Sequence, residues 1–118
     1  MCYNVPHAMP FDIDELDPDD PFEIDERNAP HLFKHSFQRR GRGLRIDIDD
    51  VRQWYSWGEA YFFEPQAGGD AHWIMICDVE GVLVSVPLAP PESGDVRKCR
   101  PIGLYEASSR ERDLFRGR

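Results

Sequence analysis

The sequence predicts a single α+β domain, in which a mainly antiparallel, twisted sheet is combined with two N-terminal helices and a short C-terminal helix. Three observations lead to this class. A chain of 118 residues is long enough for one domain with its own core. Two apolar runs, residues 71–79 and 82–89, meet at a dipeptide typical of a tight hairpin. Residues 45–58 and 108–115 carry the caps and apolar spacing of helices instead.

Residues 1–21 are expected to form an arm in front of a domain that spans residues 22–118. Four prolines stand among acidic residues in the arm, a composition that resists helix formation and offers little apolar surface. Phe11, Ile13 and Leu16 are the side chains that would dock it. No internal repeat is visible in the rest of the chain, which therefore reads as one continuous domain.

The domain is predicted to open with a short strand, PFEI, and a short helix over residues 25–35. Asp25 or Asn28 would cap this helix, and Pro30 is tolerable only in its first turn. The helix should end near His35.

The segment RIDIDDVRQWYSWG, residues 45–58, gives the clearest helix signal. Asp47 precedes the apolar spacing and Asp50 follows three positions later, as in a capping pair. Gly58 is expected to end the helix.

The second half of the chain is predicted to supply the sheet. AYFFEP is the first of its strands, and the two apolar runs form a hairpin that turns at Glu80 and Gly81. The segment CRPIGLYEA, residues 99–107, is expected to be the last strand of the same sheet. Ser108 and Glu111 then form a capping-box pair at the start of the closing helix.

Charge is distributed in blocks of alternating sign. The formal net charge is −8, but residues 1–30 carry −8, residues 31–45 carry +5, residues 46–96 carry −9 and residues 97–118 carry +4. An acidic field opposes general coating of nucleic acid, because phosphate binding depends on clustered Lys and Arg. A local basic patch in residues 31–45 is still compatible with contacts to phosphate.

The sequence predicts a cytoplasmic protein without a membrane partner or a cofactor. No apolar run approaches the roughly 18–20 residues that span a bilayer, and the N-terminus lacks the pattern of a signal peptide. Three widely spaced cysteines indicate reduced thiols rather than a disulfide framework. Without a Cys-x-x-Cys pair, no metal site is expected.

Two motifs resemble a known family when they are taken in chain order. FEIDE, residues 22–26, leads to HLFKH at residues 31–35, and CRPIGLYEASSRER follows at residues 99–112. This order is similar to that of the BrnT-type toxins of bacterial toxin–antitoxin modules, which belong to the RelE-like group of small ribonucleases. The resemblance covers roughly residues 22–115 and implies a RelE-like fold.

The chain departs from the pattern of this family in several places. Those toxins are usually strongly basic, and their closing strand carries a second arginine where Tyr105 stands here. The acidic arm, the segment QRRGRG and the long loop at residues 90–98 are additions. The resemblance therefore implies a divergent member.

The resemblance implies metal-independent RNA cleavage, in which a ribose 2′-hydroxyl attacks the adjacent phosphorus. His35 would transfer the proton, because an imidazole titrates near neutral pH. Lys34 and Arg100 would hold the phosphate. The expected RNA-binding residues are Arg39, Arg40, Arg42 and Arg45, and an exposed Trp54 or Trp57 would stack a base.

Each of these residues also has a structural interpretation. Lys34 and His35 would favour the negative end of a helix dipole, and Arg100 would pair with a carboxylate of the arm. The large aromatic residues are more often core than ligand platforms, and QRRGRG is as well explained by a solvated loop. The acidic arm would either lie against the basic block and mask it, or serve solubility alone.

Two classes of function follow. The first is a BrnT-like ribonuclease toxin whose partners are RNA and a small antitoxin protein. The alternative is a non-catalytic RelE-like domain that acts as a protein-binding or regulatory module. A small-molecule enzyme has no motif behind it, since the sequence has neither a glycine-rich phosphate loop nor a nucleophile elbow.

Overall fold

The computed structural model describes residues 11–33, 35–39, 42–65 and 71–117, of which residues 35–39 and 42 are described by their backbone alone. The strands are β1 (His35–Arg39), β2 (Arg42–Ile46), β3 (Ala60–Phe63), β4 (Trp73–Val79), β5 (Val82–Ala89), β6 (Arg100–Pro101) and β7 (Tyr105–Glu106). The helices are α1 (Ile48–Ser56) and α2 (Ser109–Arg116), and single 3-10 turns cover Ile13–Glu15 and Ala29–His31.

Five strands form an antiparallel sheet in the order β3-β4-β5-β6, with β7 also paired to β5. Strands β1 and β2 form a separate two-stranded antiparallel ribbon. The predicted α+β domain with an antiparallel sheet is therefore confirmed.

The two helices lie on opposite faces of the sheet. The Cys77 thiol of β4 lies 3.8 Å from the carbonyl of Val51 in α1, so α1 covers the face that carries the main core. On the other face, the Ser85 hydroxyl of β5 donates to Glu111 of α2 at 2.8 Å. Period-2 alternation in β4 and β5 supplies apolar side chains to both layers. The predicted burial of the central hairpin is confirmed, since Ile76, Val84 and Val86 are fully buried and Ile74 is half-buried.

The capping signals at Asp47 and Ser108 place the starts of α1 and α2 correctly. The backbone N–H of Asp47 donates to the Asp50 carboxylate at 2.9 Å in front of α1. In front of α2, the Ser108 hydroxyl accepts from the Glu111 N–H at 3.1 Å, and Glu111 accepts from the Ser108 N–H at 2.8 Å. These pairs satisfy N–H groups that no helical carbonyl can reach.

The predicted tight hairpin between β4 and β5 is also confirmed. Glu80 and Gly81 have φ values of +52° and +86°, the left-handed pair that matches the twist of two antiparallel strands. The Asp78 carboxylate accepts from the Gly81 N–H at 2.8 Å and fixes the turn.

The helix predicted over residues 25–35 is wrong, because only Ala29–His31 form a single 3-10 turn and His35 begins strand β1. A helical hydrogen bond is present from the Ala29 N–H to the Asp25 carbonyl at 2.9 Å, but side-chain contacts hold the segment in a different path. The Asn28 side chain accepts from the Asp25 N–H and donates to the carbonyl of Pro101 at 2.9 Å. Pro30 cannot donate a helical hydrogen bond either.

The last strand is interrupted rather than continuous. β6 and β7 pair with different parts of β5, and residues 102–104 between them are not strand. Pro101 lacks an N–H group, and the Tyr105 ring lies directly over Gly103. The predicted strand PFEI is reduced to one parallel bridge between Phe22 and Cys99.

The described part of the arm docks on the domain. Phe11 and Leu16 are buried in the main core, and Ile13 packs against it half-buried. The arm thus contributes apolar contacts as well as acidic charge. The longer of the two described helices, α1, has nine residues, so no helix in the described ranges has the length and apolarity to cross a membrane.

Candidate functional site

Arg100, the predicted phosphate-binding residue of the closing strand, lies at the centre of a carboxylate cluster. Its guanidinium contacts both oxygens of Asp25, at 2.8 and 2.9 Å, and one oxygen of Glu23 at 3.2 Å. Glu92 lies 3.6 Å away on the third side. The Arg100 side chain is only 8% exposed, so the carboxylates leave little room for another anion.

Backbone pairing positions this cluster. Glu23 follows the bridge between Phe22 and Cys99, with the Glu23 N–H donating to the Cys99 carbonyl at 2.8 Å. Arg100 is the next residue on the paired strand. The Glu23 carboxylate also accepts from the backbone N–H groups of Glu92 and Ser93, at 2.8 and 3.0 Å. The cluster therefore joins the N-terminal segment, the 90–98 loop and β6.

The environment favours the charged forms of Arg100, Asp25 and Glu23. The hydrogen bonds from Arg100 are the main reason why the pKa of Asp25 lies well below its ordinary value of 3.8. Burial opposes ionisation of Glu23, but hydrogen bonds from Ser93, Glu92 and Arg100 outweigh it and lower its pKa. The Asp25 carboxylate likewise raises the pKa of Arg100. All three groups are ionised at neutral pH.

Asn28 forms hydrogen bonds to the backbone on both sides of this cluster, a role that the sequence does not indicate. The side chain is buried, and its amide donates to the carbonyls of Glu23 and Pro101 at 3.0 and 2.9 Å. Its oxygen accepts from the Asp25 N–H at 2.8 Å. In the sequence the same residue is indistinguishable from a helix cap, because both roles use the short amide.

Three of the predicted RNA-binding arginines, Arg39, Arg42 and Arg45, belong to the ribbon of β1 and β2. Register places Arg39 opposite Arg42 on one face, whereas Arg45 belongs to the other face. Arg45 is exposed and forms an ion pair with Asp47 at 3.3 Å. Arg40 lies outside the described residues, so the four arginines are not shown to form a single surface.

Of the predicted catalytic pair, the structure places only His35, as the first residue of β1. Lys34 is outside the described residues, and only the backbone of His35 is described. His35 pairs with Ile46, whose side chain is buried in the core. The convergence of Lys34, His35 and Arg100 on one phosphate site therefore stays a prediction.

Two carboxylates of the arm, Asp17 and Asp20, form ion pairs with basic side chains of the domain. Asp17 forms an ion pair with Arg97 at 3.3 Å, and Asp20 forms pairs with Lys98 at 3.3 Å and with Arg52 at 3.5 Å. The predicted masking of the first basic block involves side chains outside the described set, and it stays a prediction as well.

Most of the large aromatic residues belong to the core, as the structural interpretation expected. Trp54, Tyr55, Phe62 and Trp73 pack against the main core half-buried. Trp57 differs, because its side chain is 61% exposed while its ring stands edge-on to Trp54 at 5.0 Å. Trp57 is thus available to a partner.

The described cysteines are not arranged for catalysis or metal binding. Burial raises the pKa of both Cys77 and Cys99 to about 12, so neither thiol ionises at neutral pH. Within the described ranges, no group of three or more His, Cys, Asp and Glu side chains has the geometry to hold a metal ion.

Comparison with known proteins gives no match to a family model, to a curated protein or to a solved structure.

Proposed function

We propose that this chain is a non-catalytic, protein-binding domain with a RelE-like arrangement of its sheet. The observation that carries this proposal is the engagement of Arg100 by Glu23 and Asp25. An RNA phosphate would have to displace a bidentate carboxylate from a side chain that is almost completely buried. The residue that would stabilise the transition state of cleavage serves as a structural clamp instead.

The charge of the chain favours the same function. A net charge of −8 opposes the approach of a polyanion outside the basic segments, whereas it attracts a partner protein with basic segments. Tyr105, at the position where the resemblance implies a second arginine, is 58% exposed and offers an aromatic contact surface. Aromatic residues are enriched in the buried centres of protein interfaces.

A ribonuclease of the BrnT type is the second candidate, and the register of the ribbon supports it. In the backbone register, His35, Arg39 and Arg42 belong to the same set of alternating positions, as a shared phosphate site would require. In this case cleavage would not require Arg100. The relationship to the BrnT-type toxins rests on the order of the two sequence motifs.

A cleavage assay separates the two candidates. Purified protein is incubated with single-stranded and hairpin RNA in the presence of EDTA, and the products are resolved on denaturing gels. We expect the RNA to remain intact in this assay. When the protein is induced in a bacterial host, we expect normal growth and normal bulk translation. The proposal would be refuted in favour of the ribonuclease if the protein cleaves RNA, if His35→Ala abolishes cleavage at unchanged thermal stability, and if His72→Ala still cleaves.

A further inference from the structure

The two edges of the five-stranded sheet differ in how they are covered. At the β6 end, residues 21–23 run alongside Cys99 and exchange two backbone hydrogen bonds of 2.8 Å with it. At the other end stands β3. In the described ranges, no strand pairs with the outer side of β3. An edge of this kind offers a template for another strand.

The hydrogen-bond pattern identifies the outward backbone groups of β3. Asp78 N–H donates to the Glu59 carbonyl at 3.0 Å, directly before the ladder in which Ala60 faces Cys77. Hydrogen bonding alternates along an antiparallel pair, so Tyr61 and Phe63 bond to β4. The N–H and C=O groups of Ala60 and Phe62 point away from the sheet, and no described residue binds them.

Aromatic side chains border this edge. Tyr61 is 40% exposed, and its ring packs against that of Phe63 with centroids 4.8 Å apart. The exposed Trp57 lies just before β3 in the chain. Rigid aromatic side chains provide binding energy at low entropic cost, which is why they dominate interface centres.

The charges at the ends of β3 select the partner. Glu59 and Glu64 flank the strand, and Asp78 is the cross-strand neighbour of Glu59. A second copy paired antiparallel to this edge, in a register centred on Tyr61, would bring Glu59 and Glu64 of both copies to the same shared edge. Four carboxylates at one edge disfavour self-association, whereas Glu59 and Glu64 attract basic residues at both ends of an added strand.

We propose that the outer edge of β3 is the docking site for an extended segment of a partner protein, flanked by Lys or Arg, that adds to the sheet as a further strand. This inference rests on the proposed protein-binding function and assigns its location. The partner's backbone binds Ala60 and Phe62, its flanking cations contact Glu59 and Glu64, and its side chains pack on Tyr61 and Trp57.

The test uses two synthetic peptides with the same Val-Thr-Val-Thr-Val centre, one flanked by Lys-Lys on both sides and the other by Glu-Glu. Binding to the full chain is followed by amide chemical shifts in NMR spectra. We expect the Lys-flanked peptide to shift amides of residues 57–64, with at least tenfold weaker binding of the Glu-flanked peptide. The double variant Glu59→Lys/Glu64→Lys should reverse this preference.

A second variant tests the backbone contacts. Ala60→Pro removes an outward N–H group but no hydrogen bond of the β3–β4 ladder, so a folded variant should bind the Lys-flanked peptide at least fivefold more weakly. Shifts confined to another surface, or equal binding of both peptides by the wild type and the charge-reversed variant, would overturn the edge assignment. They would leave the protein-binding function standing, which the RNA cleavage assay decides separately.

Discussion

Replacement of Arg100 by methionine should destabilise the domain strongly, because the change removes the charge but keeps most of the apolar stem. Glu23 would then retain its hydrogen bonds from two backbone N–H groups but lose its buried counter-charge. Asp25 would lose both of its guanidinium hydrogen bonds. Among the described residues, Arg100 is the only side chain of β6 that bonds to both carboxylates, so the loss concentrates on this side chain.

The magnitude follows from burial. Removal of one partner from a fully buried ion pair costs roughly 3–5 kcal/mol. Asp25 is partly exposed, so water solvates it in the variant and the cost is smaller. We expect a loss of about 2–3 kcal/mol, which corresponds to about 1–2 M in the urea midpoint of a domain of this size.

The assay is equilibrium urea unfolding at pH 7, followed by tryptophan fluorescence and far-UV circular dichroism. Arg27→Met is the matched control, since Arg27 contacts Asp25 and Glu92 from the surface with its side chain 63% exposed. Its midpoint should be nearly unchanged, because exposed ion pairs contribute little. Equal midpoints for the two variants would refute the role of Arg100 as a buried clamp and would restore it as a candidate for phosphate binding.

Three further predictions concern the cluster and the closing helix. The pKa values of Glu23 and Asp25 are lowered from ordinary values of 4.5 and 3.8. The stability that these two carboxylates contribute to the fold is therefore complete above these values and is lost as the pH falls below them. The free energy of unfolding should accordingly decline less steeply with falling pH for Arg100→Met than for the wild type. Ser108→Ala should cost about 1 kcal/mol in urea unfolding through loss of the cap, whereas Ser109→Ala should cost clearly less. Gly103→Ala should destabilise the domain by about 1 kcal/mol, because an added Cβ would lie 2.5 Å from the Tyr105 ring, and a double-mutant cycle with Tyr105→Ala should recover most of this loss. Parallel acid titrations of Arg100→Met and the wild type would contradict the role of the Arg100 cluster. Equal costs for Ser108→Ala and Ser109→Ala would contradict the cap, and an additive double-mutant cycle would contradict the contact between Gly103 and Tyr105.

Local signals in the sequence predicted the elements that local interactions determine. The capping pairs Asp47/Asp50 and Ser108/Glu111 need only residues three positions apart, so their geometry could be read directly. The Glu80-Gly81 turn is equally local, since its two positive φ values follow from the turn type that joins adjacent strands. Strand alternation in β4 and β5 predicted the buried hairpin for the same reason.

The elements that the sequence predicted poorly depend on contacts over long separations. The helix proposed over residues 25–35 fails because Asn28, besides its contact with Asp25, bonds to Pro101, 73 residues away. The location of Arg100 depends on Asp25 and Glu23, at separations of 75 and 77 residues. Composition could indicate that Arg100 would find a carboxylate, but pattern reasoning could not choose between that partner and a phosphate.

The N-terminal acidic block and the closing basic block therefore have a structural explanation in the described residues. Acidic side chains of the N-terminal segment meet the basic side chains that begin the closing segment, through Asp17 with Arg97, Asp20 with Lys98 and Asp25 with Arg100. The pairs run in the same order along both segments, as expected for two stretches that lie parallel on either side of the Phe22–Cys99 bridge. Charge complementarity thus fixes the segment that covers the β6 edge of the sheet. No such complement meets Glu59 and Glu64 among the described residues, and this asymmetry is the reason to seek the partner at β3.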